Sequence, residues 1–75
     1  MKDLSSQFGK KLREMRELLG ISQDDLALKS GIDRSYVGRI ERGEVNISLE
    51  KVYMLACSLG CAPCELLPHV HVIDV

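Results

Sequence analysis

With 75 residues, 45% of them hydrophobic and 28% charged, the chain has the makeup of one small globular domain rather than of a disordered or multi-domain protein. A chain of this size buries only about 60% of its unfolded surface, which leaves little for an enclosed active site and a rigid scaffold around it. The formal net charge of −1 gives no blanket affinity for nucleic acid or membrane, but the charge is unevenly divided. Residues 1–43 carry nine Lys/Arg against seven Asp/Glu and residues 44–75 one against four, so the first half can face an anion and the second cannot. There is no Trp, one Phe and two Tyr, so the core must be aliphatic. The apolar runs are only a few residues long and the first seven residues lack the apolar stretch of a signal peptide, so a cytoplasmic location is expected.

In chain order, Phe8, Leu12, Met15 and Leu19 step by four, three and four, which predicts one buried face of a helix over residues 3–19. Gly20 is placed to end it as a left-handed cap. Ser22-Gln23-Asp24-Asp25 has the pattern of an N-cap with an acid three residues on, so a second helix is expected to about Lys29, burying Leu26 and Ala27. Gly31 turns the chain and Asp33 caps a third helix, with Val37, Ile40 and Tyr36 facing inward and Gly43 ending it. Ser48 caps a fourth, whose apolar stripe is Leu49, Val52, Leu55, Ala56 and Leu59, ended by Gly60. Pro63 suits the first position of a short fifth helix over residues 64–67, which Pro68 stops. The β-branched tail from Val70 to Val75 has the composition of a strand and no partner strand elsewhere.

The informative segment is Gln23 to Arg42. Two short helices joined through Lys29-Ser30-Gly31-Ile32-Asp33 must cross steeply, with a small residue where they meet; Ala27 supplies it, and Ile32, Val37 and Ile40 pin the second helix on the first. This is helix-turn-helix spacing, whose second helix can enter a DNA major groove. Further segments at matching spacing are Gly9-Lys10-Lys11-Leu12-Arg13-Glu14-Met15-Arg16, Gly20-Ile21-Ser22-Gln23-Asp24-Asp25-Leu26-Ala27, Ser30-Gly31-Ile32-Asp33-Arg34-Ser35-Tyr36-Val37, Ile40-Glu41-Arg42-Gly43 and Leu55-Ala56-Cys57-Ser58-Leu59-Gly60. Together, from Phe8 to Leu67, they resemble the Cro/cI-type (XRE) helix-turn-helix regulators of bacteria and phages. In length the chain is similar to small stand-alone members, including controller proteins of restriction–modification systems. The resemblance implies an all-α, five-helix, lambda-repressor-like DNA-binding domain over residues 1–68, with the helix-turn-helix at 23–42 and residues 69–75 as a short extended tail.

Site residues follow from both readings. Arg34 and Ser35 open the third helix and Arg39 lies on the same side; an arginine there can donate two hydrogen bonds to guanine O6 and N7, or be no more than a solvated cation. Gln23, at the free N–H groups of the second helix, can bond a phosphate or brace a side chain of the third. Tyr36 is open between core packing and a phosphate bond, and the resemblance favours phosphate. Arg42, Asn46 and Ser48 flank the loop that in the family runs along the DNA backbone. A carboxylate at Glu41 is out of place on a DNA surface, and the resemblance implies that it pairs with Arg16 between the first and third helices. Lys10, Lys11 and Arg13 are expected to form a solvated face.

Cys57, Cys61, Cys64, His69 and His71 contain enough donors for zinc, but their spacing fits no structural zinc pattern and no metal is expected. No nucleophile with base, glycine-rich phosphate loop or facing carboxylate pair is present, so no catalytic residue and no enzyme activity are expected. No small-molecule ligand, cofactor or membrane partner is implied. The expected function is a homodimeric, sequence-specific transcriptional regulator binding double-stranded DNA at an inverted repeat, with the apolar tail a candidate dimer contact. The competing reading is a protein-interaction module or antitoxin of the same fold, acting mainly through a protein partner.

Overall fold

The computed structural model describes residues 4–69. Four α-helices, α1 (Leu4–Leu18), α2 (Gln23–Ser30), α3 (Arg34–Glu41) and α4 (Leu49–Leu59), are followed by a single 3₁₀ turn (Pro63–Glu65); among these residues there is no strand. The expected fifth helix is therefore only this turn. Pro63 starts it, the Glu65 carboxylate accepts the Ala62 N–H at 2.8 Å, the backbone bonds from Glu65, Leu66 and Leu67 all reach back three residues, and Pro68 has no N–H with which to continue an α-helix. The strand suggested for the tail lies outside the described residues.

Helices α2, α3 and α4 each start at a capping side chain. Ser22 and Asp25 form a reciprocal capping box at α2, with bonds of 3.0 and 3.2 Å, and both hydrogen bonds hold the Asp25 carboxyl below its ordinary pKa, the Ser22 backbone N–H contributing most. Asp33 caps α3 by accepting the Ser35 N–H at 3.1 Å, and Ser48 caps α4 by accepting the Lys51 N–H at 3.2 Å. Gly31 and Gly60 supply the left-handed caps of α2 and α4, with φ of 77° and 68°, a conformation that costs a residue with Cβ about 1 kcal/mol or more.

The core is aliphatic apart from Phe8: Leu12, Leu26, Ala27, Ile32, Val37, Ile40, Val52, Leu55, Ala56, Leu59 and Leu66 are buried with it. Two expected core residues are not there. Leu19, 49% exposed, falls beyond the last α1 turn, and Leu49, 72% exposed, sits on the outer side of the first α4 turn. Helix α1 lies so close to the end of α3 that a Cβ on Gly9 would come within 2.4 Å of the Ile40 carbonyl oxygen and 2.6 Å of that of Glu41. This contact fixes α3 against α1 and turns the opposite side of α3 to solvent. No helix among the described residues is long and apolar enough to cross a membrane.

Candidate nucleic-acid interface

At about 100° per residue, Val37 and Ile40 place the buried side of α3 opposite an arc of roughly 140° that holds Arg34, Ser35, Gly38, Arg39 and the C-cap Arg42. The guanidinium-bearing side chains are half or more exposed: 52% for Arg34, 51% for Arg39 and 60% for Arg42. Three cations thus share one face of an eight-residue helix. Gly38 lies between Arg34 and Arg42, and a Cβ there would meet only the ends of those two side chains, at 3.3 and 3.2 Å, and the Gln23 amide oxygen at 3.8 Å. Gly38 is itself buried, covered by these side-chain ends rather than by another helix.

Behind this face stands a buried polar cluster that ties three helices. Arg16 of α1 donates to Glu41 of α3 through Nε at 2.7 Å and Nη2 at 3.1 Å, and through Nη1 to the Ile21 carbonyl at 2.9 Å. Gln23 of α2 donates its amide N–H to the same Glu41 carboxylate at 2.8 Å. The two charged side chains are 11% and 3% exposed. Its hydrogen bond to Glu41 raises the Arg16 pKa further above its ordinary value, so the guanidinium stays charged despite its burial. Each guanidinium nitrogen and both carboxylate oxygens have a partner, as a buried charge requires, and no buried side-chain polar atom among the described residues lacks a partner.

The remaining residues singled out from sequence are spread around the α3 face. Tyr36 is partly buried against the core, with its ring flanked by Arg39 at 6.0 Å and Lys51 of α4 at 5.5 Å from the ring centre. Together with Asp33, Glu50 and Met54 these residues line a shallow hollow between α3 and α4. Asn46 accepts a hydrogen bond from the Ser5 hydroxyl at 3.0 Å, which leaves its amide N–H groups free to donate. Ser48 uses its oxygen as the α4 cap and retains its hydroxyl proton. Ser35 donates its hydroxyl to the Asp33 carboxylate, and this bond, with the Ser35 backbone N–H, holds the Asp33 pKa below its ordinary value.

Sequence reasoning passed over the acids that hold the arginines. Arg34 bonds Asp24 of α2 at 2.6 Å. Arg42 bonds Glu44 through two nitrogens at 2.7 and 3.4 Å, and Arg39 lies 3.8 Å from the same carboxylate. The Arg42 hydrogen bond keeps Glu44 below the usual carboxylate pKa and raises that of Arg42. The Arg42–Glu44 spacing was visible as a sequence neighbourhood; the Asp24–Arg34 pair depends on how α2 crosses α3.

The cysteines are apart from this face. Cys57 and Cys64 are exposed, and Cys61 packs partly on the core, where burial pushes its thiol pKa up. Among the described residues, which exclude His71, no group of three or more His, Cys, Asp or Glu is placed to hold a metal ion.

Two short helices joined by a tight turn, the second presenting cations outward, define a helix-turn-helix domain. The chain belongs to the helix-turn-helix family HTH_3, whose model matches residues 12–66. It is similar to a hypothetical transcription factor of Neisseria meningitidis serogroup B, with 38% identity over 65 residues, covering 87% of this chain and 61% of that one; the chain thus spans about three-fifths of that relative's length. It is also similar to the restriction-modification controller protein C.AhdI from Aeromonas hydrophila, with 49% identity, a TM-score of 0.82 and coverage of 84% of this chain and 96% of that one. The controller protein C.Esp1396I, solved as a tetramer in complex with its natural 35 base-pair operator, is 27% identical with a TM-score of 0.80, covering 88% of this chain and 87% of that one.

Proposed function

We propose that this chain is a controller-type transcriptional regulator that binds double-stranded DNA sequence-specifically, as a homodimer reading an inverted repeat through the major groove. Residues 1–68 act as a lambda-repressor-like DNA-binding domain and residues 69–75 as a tail that adds a dimer contact. The protein is a cytoplasmic regulator and not an enzyme. One observation carries the reading: α3 turns Arg34, Ser35, Arg39 and Arg42 to solvent on a single face, while Glu41, its one acid, is turned inward onto Arg16. The likeness to a controller protein solved on its operator supports it.

In this reading the N-terminal end of α3 enters the groove. Arg34 and Arg39 present planar pairs of N–H donors that match guanine O6 and N7, and Ser35 reaches a base edge by turning away from Asp33. Arg42, the phenol of Tyr36, the unused amide protons of Gln23 and Asn46, and the Ser48 hydroxyl proton donate to phosphates on either side. These phosphate bonds set register and most of the affinity, while the base contacts carry the sequence information. A single short helix reads only a few base pairs, so a two-fold dimer is needed for a site of useful length.

The test is selection of bound duplexes from a random library at about 0.15 M salt, near physiological ionic strength. Enrichment of an inverted repeat with half-sites about one helical turn apart supports the reading; a protein that folds yet enriches nothing refutes it. In the same assay Arg39→Ala should lose preference at one base position, at a cost of about 1–3 kcal/mol, whereas a uniform loss over all sequences would assign Arg39 to phosphate alone.

A further inference from the structure

Every guanidinium on the α3 face is already within ion-pair distance of a carboxylate. Arg34 is held by Asp24 at 2.6 Å, Arg42 by Glu44 at 2.7 Å, and Arg39 lies 3.8 Å from Glu44. These pairs do nothing visible for the fold. All five side chains are between 46% and 81% exposed, and exposed pairs of this kind contribute little to stability. Asp24 also stands where the fold would otherwise welcome phosphate, in the first turn of α2, at the positive end of the helix dipole, and Glu44, three residues past the end of α3, stands beside Arg42 and Arg39.

We infer that Asp24 and Glu44 set the DNA affinity of this protein by occupying the arginines of α3, so that any duplex must displace a carboxylate to gain a cation. This rests on the proposed DNA-binding function and adds to it a pair of residues that suppress sequence-independent binding. The physical ground is that such binding is almost wholly electrostatic and scales with the cations brought to phosphate. An arginine that leaves a carboxylate for a phosphate exchanges one charge-assisted bond for another and leaves an acid facing the backbone. For a small regulator this matters, because a genome offers on the order of a million or more competing non-specific sites. Glu44 is the stronger of the two, since it serves two arginines and Asp24 serves one.

The experiment compares wild type, Glu44→Gln, Asp24→Asn and Glu14→Gln. Glu14 is exposed on α1 and pairs with none of these arginines, so its substitution makes the same change in net charge away from the face. Binding is followed by fluorescence anisotropy on a labelled random duplex and on the duplex selected above, over a range of salt. One more uncompensated cation steepens the slope of log K against log salt by up to about 0.9, or roughly fivefold in affinity near 0.15 M salt. The expected result is Glu44→Gln binding random duplex about 3–10-fold tighter with a steeper slope, Asp24→Asn about 2–4-fold tighter, and Glu14→Gln changed less than twofold. If wild type holds its selected duplex while Glu44→Gln binds random duplex no tighter, the inference is overturned and the proposed function stands. Equal tightening by Glu14→Gln would also overturn it, by showing that net charge alone matters. If neither wild type nor any variant binds a duplex, the proposed function falls and the inference with it.

Discussion

Replacing Glu41 with alanine tests whether the buried pair holds α3 in place. The carboxylate accepts from Arg16 Nε at 2.7 Å, Arg16 Nη2 at 3.1 Å and Gln23 Nε2 at 2.8 Å, in a site where it is 3% exposed. In Glu41→Ala the Arg16 guanidinium keeps only its bond to the Ile21 carbonyl, and the Gln23 amide loses its acceptor. Breaking one side of a buried pair costs about 3–5 kcal/mol, because a charge is left without compensation. The low end applies here, since Arg16 lies near the end of α1 and retains 11% exposure, so roughly 3 kcal/mol is expected. A domain of this length has about 4–11 kcal/mol in total, and each kcal/mol moves Tm by about 4–8 °C. Thermal unfolding followed by circular dichroism should therefore fall by about 12–24 °C. Arg16→Met should fall by a similar amount, whereas the double variant Arg16→Met with Glu41→Met removes both charges together and should return to within about 2 kcal/mol of wild type. A loss below about 6 °C in Glu41→Ala, or a double variant equal to the sum of the singles, would refute this account.

Three further outcomes can be checked with the same means. Gly9→Ala places a Cβ against the Ile40 and Glu41 carbonyl oxygens, backbone atoms that cannot swing aside, and should destabilise by about 2–3 kcal/mol in denaturant unfolding. Gly38→Ala should do the reverse, raising stability by about 0.5–1 kcal/mol, because only flexible side-chain ends are near; at the same time it should weaken binding to the selected duplex, as a methyl group then displaces the ends of Arg34 and Arg42, which are proposed to contact DNA. As to pH, Asp25 and Asp33 are held below their ordinary pKa values by their capping bonds. Their contribution is therefore complete above about pH 4, the unfolded value, and is lost as pH falls through the lower folded values. Asp33→Asn keeps a capping side chain that does not titrate, and its Tm should decline less than that of wild type between neutral pH and acid.

Caps, turns and helix periods were legible in the sequence because they are decided within four or five residues. Ser22, Asp33 and Ser48 cap the helices they announce, and Gly31 and Gly60 take the left-handed conformations that only glycine adopts cheaply. The apolar spacing of Phe8, Leu12, Leu26, Val37, Ile40, Val52, Leu55 and Leu59 marked residues that are all buried. The same spacing misplaced Leu19 and Leu49, because periodicity tells which residues share a face and not where the neighbouring helix ends. The local start signal at Pro63 likewise suggested a helix where only a 3₁₀ turn forms, since the stretch before Pro68 is too short to close α-helical bonds.

The cationic side of α3 was legible in part for the same reason. That Arg34, Ser35 and Arg39 share one side of α3 follows from helical spacing alone, and so does their separation from Val37 and Ile40. Which side is free depends on the close crossing of α1 over the end of α3 at Gly9, a contact between residues about thirty positions apart that no local pattern contains. Glu41 turning inward onto Arg16 and Gln23, and Asp24 reaching Arg34, likewise depend on how three helices meet. Hydrogen bonds and turn preferences act over a few residues and can be read along the chain, whereas ion pairs and close packing act through space. The sequence by itself therefore determined the helices and the charges they carry; only the tertiary structure decided which of those charges are buried, which are paired, and which are left facing solvent.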